Sequence, residues 1–169
     1  HCQYQKDYIF RCVSGAIATG AENTGGAIRT VHRENTLLGH AIAQSISHPF
    51  GIGNSRFRLG TKKPIAVDTV FCGCYRKEVF KRIGLLNERL KFSQDIEFNL
   101  RLKRAGGAII LLPGIVTTYF YHSTIPAFLK HTLRNGQWAV IPFGLADSVP
   151  VRVRHMVPLM FISSIIISF

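Results

Sequence analysis

The chain has 169 residues, enough for one domain with a core of its own. Its 47% hydrophobic and 18% charged residues exclude a disordered tail or a low-complexity segment. Lys and Arg number 21 against 9 Asp and Glu, a net charge of +12. Such a balance favours nucleic acid, anionic lipid or phosphorylated partners. The bases fall in small groups, as at Lys62-Lys63, Arg76-Lys77 and Lys103-Arg104, with no nucleic-acid signature beside them.

The chain opens His1-Cys2-Gln3-Tyr4, without an initiator Met or a signal-peptide pattern. This start reads as a truncated frame or excised fragment, with a mature terminus at His1 as the alternative. Tyr8, Ile9, Cys12, Val13, Ala16 and Ile17 give residues 4–19 a helical spacing, and Gly20 closes it. Polar Glu22-Asn23-Thr24 belongs to that ending, and residues 25–31 read as a short strand. A second helix is expected from Asn35 to Ser47, stopped by Pro49. Residues 49–64 form a loop by composition, rich in Gly and in bases: Arg56, Arg58, Lys62 and Lys63. Gly51-Ile52-Gly53 is not a dinucleotide loop, because Arg56 stands at the third glycine and no strand precedes it. A mobile basic loop near phosphates is the preferred reading, with Arg56 as its substrate-binding candidate.

Residues 65–72 read as a buried strand and 76–83 as a helix closed by Gly84. Ser93 is the expected N-cap of a helix running to Ala105, which Gly106-Gly107 ends. Two strands are expected at 108–112 and 115–121, split by Pro113-Gly114. A further helix spans about 126–138 and is basic on its polar side. Residues 156–169 are almost entirely apolar but, at fourteen, fall short of the roughly 20 that cross a bilayer. Arg152, Arg154 and His155 directly before them suit a cytoplasmic flank. This run is read as the start of a transmembrane helix, against a buried core helix. The four cysteines, at 2, 12, 72 and 74, form neither a disulfide framework nor a zinc site and read as small thiols beside a strand.

Gln94-Asp95-Ile96-Glu97 at a helix start is the strongest chemical signal. First-turn carboxylates are favoured by the helix dipole, which holds Asp in the ionised form a general base needs. Two acids two residues apart point to nearly opposite sides of a regular helix, so one is the candidate base and the other is structural. By spacing alone, both are ordinary first-turn acids.

Residues 67–107 as a combination resemble the family-2 glycosyltransferases, in particular bacterial exopolysaccharide enzymes of the succinoglycan-biosynthesis type. The motifs read Phe71-Cys72-Gly73-Cys74-Tyr75-Arg76-Lys77-Glu78, Ile83-Gly84-Leu85-Leu86-Asn87-Glu88, Gln94-Asp95-Ile96-Glu97 and Arg101-Leu102-Lys103-Arg104-Ala105-Gly106-Gly107. Residues 49–58 are similar to the glycine-asparagine loop of that subgroup, and Asn135-Gly136-Gln137-Trp138 to its segment before the membrane. The likeness covers nearly all of residues 1–140.

The resemblance implies an α/β chain with part of a GT-A fold, a mixed sheet with flanking helices, followed by the start of a transmembrane helix. It implies an acceptor-side catalytic part over 1–140, a basic linker over 141–155 and a membrane segment over 156–169. The implied reaction is inverting transfer of a sugar from a nucleotide-sugar donor to a lipid-linked or polysaccharide hydroxyl, at the cytoplasmic face of the inner membrane. Asp95 maps onto the general base and Glu97 onto a supporting acid, while Gln94 replaces a frequent Glu. A divalent metal, Mg²⁺ or Mn²⁺, is implied on the donor diphosphate, with His1 as the last residue of its motif. Trp138 is a candidate to stack on a sugar or to sit at the membrane interface, with core packing as the alternative. His122 is a candidate for the acceptor cleft, against a solvated strand end. The strands binding base and ribose would lie upstream of residue 1, so the chain alone is expected to be inactive. The rival class is a basic non-catalytic module for anionic membranes or nucleic acid, which would bind in a salt-sensitive way without using Asp95. On the enzyme reading nucleic acid is not a partner.

Overall fold

A computed structural model describes residues 2–49 and 55–140, with the side chains of 138–140 left out. The element order is β1 (Cys2–Gln3), α1 (Tyr8–Thr19), β2 (Asn23–His32), α2 (Leu37–Ser45), α3 (Arg56–Leu59) and β3 (Ile65–Ala66). Then follow β4 (Phe71–Tyr75), α4 (Lys77–Ile83), α5 (Gln94–Arg104), β5 (Ile109–Tyr121) and α6 (Ile125–Val140). One mixed sheet runs β1-β5-β2-β4, with β3 also paired to β5. The β2–β5 pair is parallel and the others are antiparallel. This is the expected α/β architecture of a mixed sheet with flanking helices.

The long strand β5 carries the fold because its residues alternate between faces. Ile109 and Leu111 join Val70, Val79, Phe98 and Leu102 in a core beneath α4 and α5. Leu112 and Ile115 join Tyr8 and Cys12 beneath α1, with Ile110 packed against them. Each such fully buried side chain contributes about 1.5–3 kcal/mol. Pro113-Gly114 does not split the strand as expected. It lies in a bulge, where β5 gains residues on β2 between the pairs Gly25–Leu111 and Ala27–Val116. Gly26 is required there, because a Cβ would stand 2.3 Å from the Ile115 carbonyl oxygen.

Other boundaries moved for identifiable reasons. The first helix begins at Tyr8 and buries the row Tyr8, Cys12 and Ala16, while Ile9, Val13 and Ile17 stay exposed. Gly20 ends it in the left-handed region, φ +70°. Asn23 and Thr24 are not part of the helix ending. They are buried in central strand β2, where Asn23 Nδ2 donates to Asn99 Oδ1 at 2.8 Å and Thr24 Oγ1 donates to the Cys12 carbonyl at 2.9 Å. These hydrogen bonds offset part of the cost of burying polar side chains in a core strand, while Asn23 Oδ1 itself is buried without a partner.

The single strand expected at 65–72 is two strands on opposite sides of the sheet, β3 against β5 and β4 against β2. The segment Cys72-Gly73-Cys74 is the middle of β4. Gly73 fits there because a Cβ would lie 2.3 Å from Asn23 Oδ1. All four cysteines are free thiols. Arg76 locks β4 to α1, its Nη2 donating to the Ala16 carbonyl at 2.7 Å and its Nε to that of Ala21 at 2.8 Å. The Ala16 carbonyl belongs to the last turn of α1, an acceptor that a cation at the helix C-terminus serves well.

Among the described residues no helix is long and apolar enough to cross a membrane. Residues 141–155 and 156–169, read above as linker and membrane segment, lie outside the described residues.

Candidate functional site

The N-terminus of α5 is set by an unusual entry. Ser93 occupies the expected N-cap position, but its backbone is left-handed, φ +61°, and its side chain makes no capping hydrogen bond. Cys72, on β4, is the other non-glycine residue with positive φ among the described residues, at +50°. Such conformations cost about 1–3 kcal/mol each and persist where surrounding contacts dictate them. At Cys72 those contacts are visible: the Tyr8 hydroxyl donates to its carbonyl at 2.7 Å and to that of Phe71 at 3.2 Å. The Tyr4 hydroxyl meets the Cys72 Sγ at 2.9 Å, and this bond with burial pushes the Tyr4 phenol up to about 12.

Asp95 acts electrostatically on one of these strained positions, Cys72. Its negative charge acts on the Cys72 thiol and on the Tyr75 phenol, both raised chiefly by burial. The carboxyl of Asp95 is itself raised above the ordinary aspartate value. Desolvation by surrounding protein outweighs the backbone N–H groups of Ile96 and Asp95, which favour the charged form. The expected dipole-held ionisation is therefore overridden in direction by burial. Yet Asp95 is exposed at the surface. Asp95 is thus solvent-accessible while neighbouring protein disfavours its charged form.

Glu97 is different. It is buried and paired side-on with Arg101, Nε to Oε1 at 2.7 Å and Nη2 to Oε2 at 3.0 Å. Arg101 in turn donates to the carbonyls of Ile83 and Leu85 at 2.5 and 2.8 Å. Glu97 thereby anchors the turn that leads from α4 to α5. The expectation that the two acids face different ways matches this arrangement. Gln94 stands half-exposed at the first position of α5.

The register of the sheet defines a second group. Cys2 pairs with Tyr119 and Tyr119 with Thr30, while Tyr121 pairs with His32, so these side chains share one face. Phe71 joins that face, its ring 5.9 Å from Tyr119. Above it, Arg58 Nη1 reaches Thr30 Oγ1 at 3.4 Å, and His131 Nδ1 meets the Tyr121 hydroxyl at 2.9 Å. Arg134 stacks on Phe92, 4.8 Å from the ring centroid, in the loop preceding Asp95. Sequence reading missed this cluster. Its legible trace was the alternation of Tyr119 and Tyr121, the period of one strand face.

Arg56 is exposed and lines a basic groove of about 910 Å³ with Lys62 and Lys63. A second groove, about 480 Å³, holds Thr30, His32, His40 and Arg58. Neither groove includes Asp95. His122 packs against the rings of Tyr121 and His131, at 5.4 and 5.6 Å. His1 and the Trp138 side chain lie outside the described residues. Among the described residues no three His, Cys, Asp or Glu side chains gather as a metal site would require.

No family model matches the chain. No solved structure matches it either. Among curated proteins, the chain is similar to "Succinoglycan biosynthesis protein ExoA" of Rhizobium meliloti (strain 1021), 27% identical over 161 residues. The match covers 86% of this chain and 48% of that protein, so the chain spans about half the length of the curated relative it matches. By descent and by motif the chain is thus a relative of a succinoglycan biosynthesis protein, in agreement with the resemblance of its residues 67–107 to the family-2-type exopolysaccharide glycosyltransferases.

Proposed function

We propose that this chain supplies the acceptor side of a GT-A-type, inverting glycosyltransferase for exopolysaccharide synthesis. The observation that carries this reading is Asp95: an accessible but desolvated carboxylate at a strained helix entry, inside the segment that carries the family resemblance. A general base works best when its pKa approaches the operating pH, so a raised aspartate suits the role better than an ordinary one.

In the proposed reaction a hydroxyl of a lipid-linked or polysaccharide acceptor gives its proton to Asp95. The acceptor oxygen then bonds to the anomeric carbon of the donor sugar as the bond from that carbon to the nucleotide diphosphate breaks. Attack from the face opposite the leaving group inverts the configuration. Glu97 assists by holding Arg101 and, through it, the turn that aims α5. Gln94, beside Asp95, and Arg56 in its basic groove are proposed substrate contacts, and Trp138 a proposed sugar platform.

The family's divalent metal, Mg²⁺ or Mn²⁺, would offset charge on the leaving diphosphate. The described residues do not by themselves form such a site, and His1, its proposed contributor, lies outside them. Placement at the cytoplasmic face of the inner membrane, with residues 156–169 in the bilayer, is part of the same proposal.

The test is nucleotide-sugar turnover in membranes containing the full gene product, wild type against Asp95→Asn. Turnover that collapses in the variant supports the class and the base together. Equal turnover in both removes Asp95 from the mechanism.

A further inference from the structure

We propose that Arg58, Arg134 and His131 form an anion site over the Tyr119–Tyr121 face of the sheet, and that its ligand is a diphosphate ester. The starting point is charge without a counter-charge. Among the described residues the carboxylate ion pairs go to Arg11, Arg82, Arg101 and Lys103. Arg58 and Arg134 make none, although Arg58 reaches Thr30, the β2 partner of Tyr119, and Arg134 follows His131, which meets the Tyr121 hydroxyl, on α6; both act electrostatically on the two tyrosines. Two guanidinium groups near one patch, neither paired with a carboxylate, suit an anion that can take hydrogen bonds from both.

The donors around this patch are also unspent. Arg134 Nε is enclosed by protein and has no hydrogen-bond partner, a state that buried donors rarely keep. The Tyr121 hydroxyl and the Asn135 amide nitrogen both approach His131 Nδ1, at 2.9 and 3.2 Å. An amide nitrogen only donates, so Nδ1 accepts and the proton of the neutral ring sits on Nε2. That leaves the Nε2–H as a further donor. Burial and the charges of Arg134, His122 and Arg58 keep His131 below the ordinary histidine range, so the ring offers a hydrogen bond rather than a third full charge.

Two fixed positive charges and several N–H donors suit a multiply charged oxyanion better than a single carboxylate. Arg134 also stacks on Phe92, which leads directly into the helix of Asp95. That a diphosphate ester is the ligand rests on the proposed glycosyl transfer, which brings two of them: a nucleoside diphosphate and a lipid diphosphate.

The probe is inorganic pyrophosphate, titrated into the full chain in neutral detergent while the imidazole nitrogens of His131 are followed by NMR. Wild type is expected to show a saturable change at His131, with its titration moved upward by the bound anion. Arg58→Gln and Arg134→Gln should each weaken binding about tenfold or more. Arg134→Lys, with unchanged far-UV circular dichroism, should retain a response because it keeps the charge. Uridine diphosphate and an isoprenyl diphosphate, titrated in parallel, distinguish the sources, the tighter of the two identifying the natural one. No saturable response, an equal response to sulfate, or undiminished binding in both Gln variants would overturn the site. Asp95→Asn should bind pyrophosphate like wild type, so loss of the base assignment and loss of the anion site are separate outcomes.

Discussion

Glu97 grips Arg101 one turn later on α5 with both carboxylate oxygens, at 2.7 and 3.0 Å, while Arg101 holds the carbonyls of Ile83 and Leu85. The pair staples the entrance of the helix to the end of α4. Asp95, two residues earlier, takes no part in that staple, and its charge acts on Cys72 and Tyr75.

Removing half of this pair should unfold more than it deactivates. Glu97→Ala leaves Arg101 partly buried without its counter-ion and is expected to lower stability by about 3 kcal/mol. Urea denaturation measures it. Glu97→Gln, which keeps one acceptor, should lose less, and a Glu97→Ala protein as stable as wild type would contradict the anchoring role.

Asp95→Asn should behave in the opposite way. The fold raises the Asp95 pKa, so the folded protein binds its proton more tightly than the unfolded chain does. Stability from this residue therefore falls as pH rises through the unfolded value and on to the raised folded one, and stays reduced above it. At neutral pH the variant should melt at or above the wild-type temperature, while turnover falls about 10²–10⁴-fold. Paired melting curves at pH 7 and in mild acid check the sign, since the difference between the proteins should shrink in acid.

His131 predicts a second pH dependence, of the opposite sign. Its pKa is lowered by burial and by Arg134, His122 and Arg58, so the unfolded chain takes up the proton first as pH falls. The stability contribution is intact above the ordinary value of 6.5 and is lost as pH drops through the folded value. His131→Gln should flatten this limb of the stability curve, measured by urea midpoints between pH 7.5 and 5.

Gly73→Ala should strain the centre of the fold, since its Cβ would stand 2.3 Å from Asn23 Oδ1. Asn23 cannot easily yield, being tied to Asn99, which also receives the Tyr75 hydroxyl at 2.8 Å. A loss of about 1–3 kcal/mol is expected. Asn23→Ser in the same chain should recover part of it, and a double-mutant cycle with no coupling would exclude the contact as the cause.

Element types were largely legible in the sequence, and so was the chemistry of one helix start. Apolar spacing marked the α1 region and Gly20 its end, while Gln94-Asp95-Ile96-Glu97 announced an acidic first turn because charge and helix dipole act within a few residues. Partnership was not legible. Ile65-Ala66 and Phe71–Tyr75 read as one strand because strand propensity is local, whereas their assignment to β5 and to β2 is settled by which edge each segment reaches. Asn23 and Thr24 looked like turn residues until Asn99 and the Cys12 carbonyl supplied their hydrogen bonds from 76 and 12 positions away.

The sequence by itself determined an α/β chain, its basic charge and the two acids of α5, since each depends on residue type and spacing alone. Only the tertiary structure decided that Glu97 is a buried anchor and Asp95 a desolvated but open carboxylate. It likewise decided that Arg58 and Arg134, 76 positions apart, act on the same two tyrosines. Desolvation and charge convergence depend on distances through space, and those are set by the sheet that brings remote segments together.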